Sequence, residues 1–460
     1  MLTTPMNKYR AAMTETLENL IAIKSVKAPP SLNMPYGKGV FSALMYMLDR
    51  AERLDLESYN LFGHMGSVSY GKGDETLAIL THLDVVPAGE GWDTDPFKAV
   101  IKDGKIFGRG AVDDKGAAVA SLFALYAIKE SCITLNKRVL LLFGCDEETG
   151  WGDIDFFKAN YPDPEIVISP DASFPIFNSE KGLLHISLSA PAKNNGVLKS
   201  IDSGTRVNIV PSRARCEIAL TDEQKEIIAK NGCGAEFFFE EENGVTVIRA
   251  EGKAAHGAHP EEGINALTRL MHALIESGAD MGEAGRFIKA LCDLVGFETD
   301  GKTLGIAQSD EISGALSLNL GTMHTDGETI TAAIDIRTPI STDVNALYLK
   351  LKKLFDGYGI EISEMQLKEP HHVSEDDRVI KALKKVYRVY KGGEAQCLCS
   401  SGATYARAFK NGVAFGPVDP GKDRCEHGPN ECIEIDDLVK LAELIAEAII
   451  ELAAVPDSII

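Results

Sequence analysis

Residues Leu140–Trp151 read LLLFGCDEETGW. An apolar run of strand length climbs into three consecutive acids, Asp146, Glu147 and Glu148, and then into the turn residues Thr149 and Gly150. A continuous apolar strand is one buried on both faces. Its end is a costly place for like charges unless something cationic collects them. The stretch therefore predicts a buried, parallel-type strand with a functional cluster at its carboxy-terminal rim, where ligands bind in open α/β sheets.

The same texture extends to either side, from about Leu77 to Asp171. TLAILTHLD reads as a strand, KGAAVASLFALYAIKE as a helix, DIDFFKAN as a short helix and EIVISPD as a strand. Apolar strands alternating with amphipathic helices give a mixed, mostly parallel sheet with helices on both faces, an α/β fold. After Lys181 the pattern changes. GLLHISLSA, TRVNIVPSRARCEIAL, GVTVIRAEG, LSLNLGTMHTDG and ETITAAIDIRTP alternate as half-exposed strands do. Helical segments interrupt them around Asn265–Glu276 and Asn345–Phe355. The first texture resumes with DRVIKALKKVYRVYKGG, GVAFGPVD and IDDLVKLAELIAEAIIEL. The predicted organisation is a discontinuous α/β domain, residues 1–180 and 377–460, with an α+β lid inserted at 181–376. His371 and His372 fall at that junction and read as solvated hinge residues.

The 460 residues are 45% hydrophobic with net charge -21, enough apolar matter for a sizeable core and the wrong sign for nucleic acid or an anionic membrane. The N-terminus reads as a polar-led amphipathic helix rather than a secretory signal, and no apolar run reaches membrane-spanning length. Nine scattered cysteines without a C-x-x-C pair fit free thiols in a reducing cytoplasm. Gly108 and Gly110 frame a tight turn, because the other glycines of a phosphate-binding fingerprint are missing.

Five strand-end segments hold potential metal ligands: His82 and Asp84, Asp113 and Asp114, Asp146 to Glu148, Asp171, and Glu426 and His427. Mixed nitrogen and oxygen donors suit zinc, with manganese or cobalt as substitutes. The set is too large for one tetrahedral ion and suits two ions about 3.5–4 Å apart that share a carboxylate. Neighbouring glutamates in an irregular turn can then divide the work, one holding a cation and the other a water. Asp113 and Asp114 also read as the N-terminal cap of the helix that follows them.

Together THLDVVP, GRGAVDDKG, DEETG, SPDA, GKAAHGAHPEEGINA and HGPNE resemble the di-zinc metallopeptidase and aminoacylase family. That family includes aminoacylases, carnosinases, glutamate-releasing carboxypeptidases and desuccinylases. The resemblance spans nearly the whole chain and is strongest to bacterial PepV-type Xaa-His dipeptidases. It implies a zinc-aminopeptidase-like catalytic domain with two divalent metal ions, zinc in the family's usage. Asp113 would bridge them, with Asp114 as the alternative. His82 and Asp171 would complete one shell, and Glu148 and His427 the other. Glu147 would be the general base, and Asp84, on the same strand face as His82, would orient that imidazole.

From the lid, the resemblance implies that His256 rather than His259 supports the oxyanion. Asn208 would contact substrate, and Arg337 would grip a substrate carboxylate, its bland alternative being an ordinary exposed strand arginine. SSGATYARAF resembles the family's substrate-carboxylate loop, offering Ser401 and Gly402 but carrying Ala403 where a second glycine is common. The implied activity is cleavage of dipeptides by a metal-bridged hydroxide. The alternative is an N-acyl-amino-acid deacylase or desuccinylase with the same centre. The large lid implies a self-sufficient cytoplasmic monomer.

Overall fold

The apolar runs of the first region form a pleated sheet buried on both sides. Its strands are β1 (Glu57–Leu61), β2 (Met65–Tyr70), β3 (Thr76–His82), β4 (Arg138–Gly144), β5 (Ile166–Ser169) and β6 (Ile176–Glu180), joined by a late strand, Gly412–Ala414. The order is β1-β2-β4-β3-β5, then the late strand, then β6. Parallel pairing holds the centre, β3 with β4 and β5, and β5 with the late strand, while β1 and β2 pair antiparallel at one side. This computed structural model describes residues 2, 4–242, 244–422 and 425–454.

Strand alternation decides what each face buries. Leu77, Ile79, Val139, Leu141 and Phe143 enter one apolar cluster, with α1 (Arg10–Ile21), α2 (Lys38–Arg53), α3 (Lys115–Glu130) and the late helices Arg378–Lys391 and Ile435–Ala453. Ala78, Leu80, Leu142 and Val167 enter another, with Ile154 and Phe157 of α4 (Gly152–Asn160) and with Tyr405 and Phe409. Full burial of each large apolar side chain stabilises by about 1.5–3 kcal/mol. The result is a fixed floor whose parallel strands all end at one rim.

The chain divides into two units. One comprises Met1–Ser179, His372–Leu398 and Ala403–Ile460, and the other Glu180–His371 with Cys399–Gly402. In the second unit the strands are β7 (Gly182–Pro191), β8 (Leu198–Ser203), β9 (Arg213–Ile218), β10 (Glu236–Glu242), β11 (Val245–Glu251), β12 (Ser317–Thr325), β13 (Thr329–Thr338) and β14 (Glu361–Lys368). They form one antiparallel sheet in the order β10-β11-β9-β8-β12-β13-β7-β14. Its helices are α5 (Asp222–Lys230), α6 (Ala266–Glu276), α7 (Gly282–Leu294) and α8 (Val344–Gly357). Apolar residues of the sheet and of all four helices share a single core.

Helices α2, α5 and α7 have no counterpart in the sequence expectation. TRVNIVPSRARCEIAL was expected to be one strand, but only Arg213–Ile218 forms one. Pro211 has no amide to give a ladder, and the residues before it turn instead to present Asn208. The N-terminal helix begins at Arg10 after a short 3-10 turn, Met6–Tyr9. Met1, Thr3 and 455–460 lie outside the described residues. His372 is not merely solvated, since its Nδ1 is 2.8 Å from the Ser179 hydroxyl. No helix of the described residues is long and apolar enough to cross a membrane.

Candidate metal centre

His82 closes β3 and is buried. Its Nδ1 lies 3.0 Å from the main-chain carbonyl of Asp84, which fixes the proton there and turns the Nε2 lone pair towards Asp113 Oδ1, 3.1 Å away. Asp84 itself lies beyond the strand end, not on the strand face as expected. Its carboxylate reaches within 3.5 Å of His82 Nδ1, yet its hydrogen bonds come from the amides of Glu147 and Glu148, each at 3.1 Å. Asp84 therefore orients the imidazole largely through its carbonyl and anchors the glutamate turn through its carboxylate.

The Asp113 carboxylate stands between two imidazoles. Oδ1 faces His82, and Oδ2 is 3.0 Å from His427 Nε2. His427 Nε2 is also 3.1 Å from Glu148 Oε1, and Asp171 Oδ2 is 3.9 Å from His82 Nε2. Two donor groups result, His82–Asp113–Asp171 and Asp113–Glu148–His427, each with all its atoms within 4.8 Å of one another. Asp113 is common to both. Asp114, the alternative, turns away: its Oδ2 accepts from the His82 amide, and its Oδ1 is buried without a partner. It precedes α3 but makes no side-chain cap bond, so the capping reading is not what the structure contains.

The three acids that open the turn go three ways. Asp146 folds the turn, accepting from Lys27 Nζ at 2.5 Å, the Thr149 hydroxyl at 2.5 Å and the Gly152 amide at 3.1 Å. Glu148 joins the His427 group. Glu147 lies among the acids, where desolvation and then the neighbouring Asp171 charge push its carboxyl well above the usual range. Sequence reasoning missed Asp153, which accepts from the amides of Cys145 (2.6 Å) and Asp146 (3.0 Å) and from the Tyr405 hydroxyl. Burial raises its pKa to about 7. No local pattern announces it, because its tyrosine partner is 252 residues away.

Electrostatics give the test of whether cations belong here. Six carboxyls, of Asp84, Asp113, Asp114, Glu147, Glu148 and Asp171, gather around the imidazoles of His82 and His427. Burial raises the Asp114 and Glu148 carboxyls. Hydrogen bonds to Asp113 and Glu148 lift His427 to about 11, and although burial disfavours a charged His82, the same kind of contact raises it too. The site draws protons in to offset its own negative charge, the behaviour of a donor set suited to divalent cations. Hard oxygen and imidazole donors, three per group and with one carboxylate shared, fit two such ions.

The lid residues cluster separately within the second unit. His256 Nδ1 accepts from the Ala258 amide at 3.2 Å, leaving Nε2 to carry the proton, and desolvation followed by the Arg337 charge lowers its pKa. The Gly257 amide donates to the Asn208 carbonyl at 2.7 Å. A Cβ on Gly257 would come within 2.7 Å of Asp335 Oδ2 and 2.9 Å of the Asn208 carbonyl carbon, so only glycine fits between them. His259 is exposed, with Nδ1 3.6 Å from Glu261.

Arg337 is buried, not exposed. Its Nε and Nη2 hold Asp335 at 2.8 and 3.0 Å, and its Nη1 donates to the Ser401 carbonyl at 2.9 Å. The two-toothed edge expected for a substrate carboxylate thus faces Asp335. The same turn is pinned by the Gly402 amide on the Ser400 hydroxyl, 2.9 Å. Asp335, which carries this arrangement, went unremarked in the sequence, where nothing local distinguishes it from any strand aspartate.

Residues 78–451 match the model of peptidase family M20/M25/M40. The chain is 37% identical over 432 residues to a Bacillus subtilis (strain 168) protein named "Putative dipeptidase YtjP", covering 91% of this chain and 92% of that one. It is 32% identical over 454 residues to the Beta-Ala-Xaa dipeptidase of Lactobacillus delbrueckii subsp. lactis, covering 96% of each. Among solved structures, the M20 family metallo-carboxypeptidase Sso-CP2 from Sulfolobus solfataricus shares the fold with a TM-score of 0.59 at 21% identity, over 95% of this chain and 98% of that one.

Proposed function

This chain belongs to peptidase family M20/M25/M40, and from that premise we propose that it hydrolyses the peptide bond of dipeptides at the His82–Asp113–His427 centre. The observation that carries the reading is the shared Asp113 carboxylate, 3.1 Å from one imidazole and 3.0 Å from the other, with Asp171 and Glu148 completing two donor groups. Relatives named as dipeptidases across almost the full length supply the substrate class.

His82, Asp113 and Asp171 would hold one divalent ion, and Asp113, Glu148 and His427 a second, zinc by donor type with manganese or cobalt as substitutes. When bound, the ions polarise the scissile carbonyl and acidify the attacking water. Glu147 takes that water's proton and returns it to the leaving amine. Asp84 holds the Glu147 amide, so the base is kept at a fixed place in the turn. His256, neutral and with its proton on Nε2, donates to the oxyanion. Asn208 and the Ser401–Gly402 turn bind the substrate's ends. Arg337 contributes by holding the Ser401 carbonyl, which shapes that turn. The large inserted lid favours a self-sufficient monomer.

The test is a substrate panel on protein of measured metal content. Dipeptides, β-alanyl ones included, are expected to turn over far faster than N-acetyl or N-succinyl amino acids. Preference for the acylated series would replace the dipeptidase reading with a deacylase using the same residues.

A further inference from the structure

The buried pair Arg109–Glu431 has no part in the chemistry above, yet it touches both the Asp113 and the His427 segments, which come from opposite ends of the chain. Arg109 is 1% exposed and Glu431 fully buried, and their contact, Nη1 to Oε2, is 2.7 Å across 322 residues of sequence. Glu431 Oε2 also accepts from the Gly110 amide at 3.1 Å, and Oε1 accepts from the amides of Val112 at 3.0 Å and Asp113 at 3.2 Å. Arg109 Nη2 donates to the carbonyls of Ala88 at 3.0 Å and His427 at 3.2 Å. Its guanidinium carbon lies 5.2 Å from the Trp92 ring centroid.

A buried ion pair is weak evidence for stability, because an apolar replacement of equal volume is often neutral. What apolar side chains could not do is donate to the His427 carbonyl while accepting from the Asp113 amide. His427 also needs fixing: its φ of 58° lies in the left-handed region that residues with a Cβ seldom adopt. The pair ties a strained histidine and the shared aspartate to one rigid bridge.

We propose that Arg109 and Glu431 are positioning residues that set His427 against Asp113, and thereby set the cation affinity of the Asp113–Glu148–His427 group more than that of the His82–Asp113–Asp171 group. The inference rests on the two-cation reading. His82 and Asp171 lie outside the bridge, and their group meets it only through the Asp113 amide, so that group loses less affinity when the bridge is broken.

The experiment titrates metal-free full-length protein with Co2+ and follows its visible absorption and stoichiometry. His427→Ala and His82→Ala supply the reference spectra of protein lacking one group or the other. Arg109→Lys keeps the charge but loses the two-sided fork. It is expected to bind one equivalent close to wild type and the other about 10–100-fold more weakly, the size of effect that partners of metal ligands exert, and to retain the spectrum of His427→Ala at one equivalent. Glu431→Gln, which sets an amide donor against main-chain N–H groups, is expected to behave alike. Equal weakening of both equivalents, wild-type affinity for both, or loss of the metal-free fold in both variants overturns the proposal. Wild-type protein that takes up fewer than two equivalents fails the two-cation reading instead.

Discussion

Both units bury acids, and they neutralise them differently. In the second unit Asp335 has its counter-charge beside it. Arg337 holds both oxygens, and His185, its cross-strand neighbour, places Nε2 3.0 Å from Oδ1. Burial alone would raise the Asp335 carboxyl, but the His185 contact and the Arg337 charge keep it below the usual range. In the first unit Glu147, Asp114 and Glu148 are raised instead. One cluster is electrically complete in protein atoms and the other is not. The difference lies in the protein cations at hand: Asp335 has a guanidinium and an imidazole to itself, whereas the six carboxyls of the first unit share the two imidazoles of His82 and His427.

The largest expected effect separates chemistry from charge. Glu147→Gln removes the base while taking away none of the six ligand atoms. Turnover should fall by about 10²–10⁴-fold, with bound metal unchanged in elemental analysis. Near-normal turnover would move the base elsewhere and leave Glu147 as one more member of a charge cluster.

Next comes the complete cluster. Asp335→Ala leaves the Arg337 guanidinium buried without its partner, at a cost of about 3–5 kcal/mol. Denaturant unfolding should register it whether or not metal is present. A loss that disappears in metal-free protein would mean the second unit depends on the first unit's cations and is not complete after all.

How far these clusters were legible in the sequence follows from the same contrast. THLD, DEETG and SPDA each sit where a continuous apolar run ends and announced themselves by breaking a pattern, whereas Asp113, in a turn, and His427, in a polar loop, were given their roles by the family resemblance. Helix α5 carried a readable signal in the capping box of Thr221 and Gln224. Asp335, Asp153 and Glu431 carried none. Asp153 and Glu431 are identified by partners distant in sequence, and Asp335 by Arg337 two residues along its own strand together with His185 across it. The bearing of Arg337 was misjudged for that reason: residue type told what it could grip, and only the fold told that Asp335 was already in its grip. Asp84 was placed on the strand by spacing, but β3 stops two residues short of it.

His256 tests whether the second unit's part in catalysis needs cations of its own. His256→Ala should lower kcat by about 10²–10³-fold, the range for an oxyanion donor, with metal stoichiometry intact. Lost metal in that variant would make His256 a ligand and erase the division between the two clusters.

The smallest effect is the sharpest on sign. In metal-free protein the Glu147, Glu148 and Asp114 carboxyls have folded pKa values above their unfolded ones. The folded state then binds protons more tightly than the unfolded chain, so stability falls as pH rises from the ordinary carboxylate range towards the raised folded values. Asp335, lowered on folding, has the opposite sign and loses its contribution only as pH falls below the ordinary carboxylate range. Between pH 5 and 8 the raised acids, Asp153 among them, and the raised His82 and His427 all give the slope this sign. They outnumber the lowered His64, His256 and Lys115, whose sign is opposite, so the metal-free melting temperature should drop by several degrees. Saturating divalent ion should cancel the drop, because the cation supplies what the protons did. A metal-free protein equally stable at pH 5 and pH 8 would mean that the six acids do not repel one another in the folded chain, and the contrast with Asp335 would lose its physical basis.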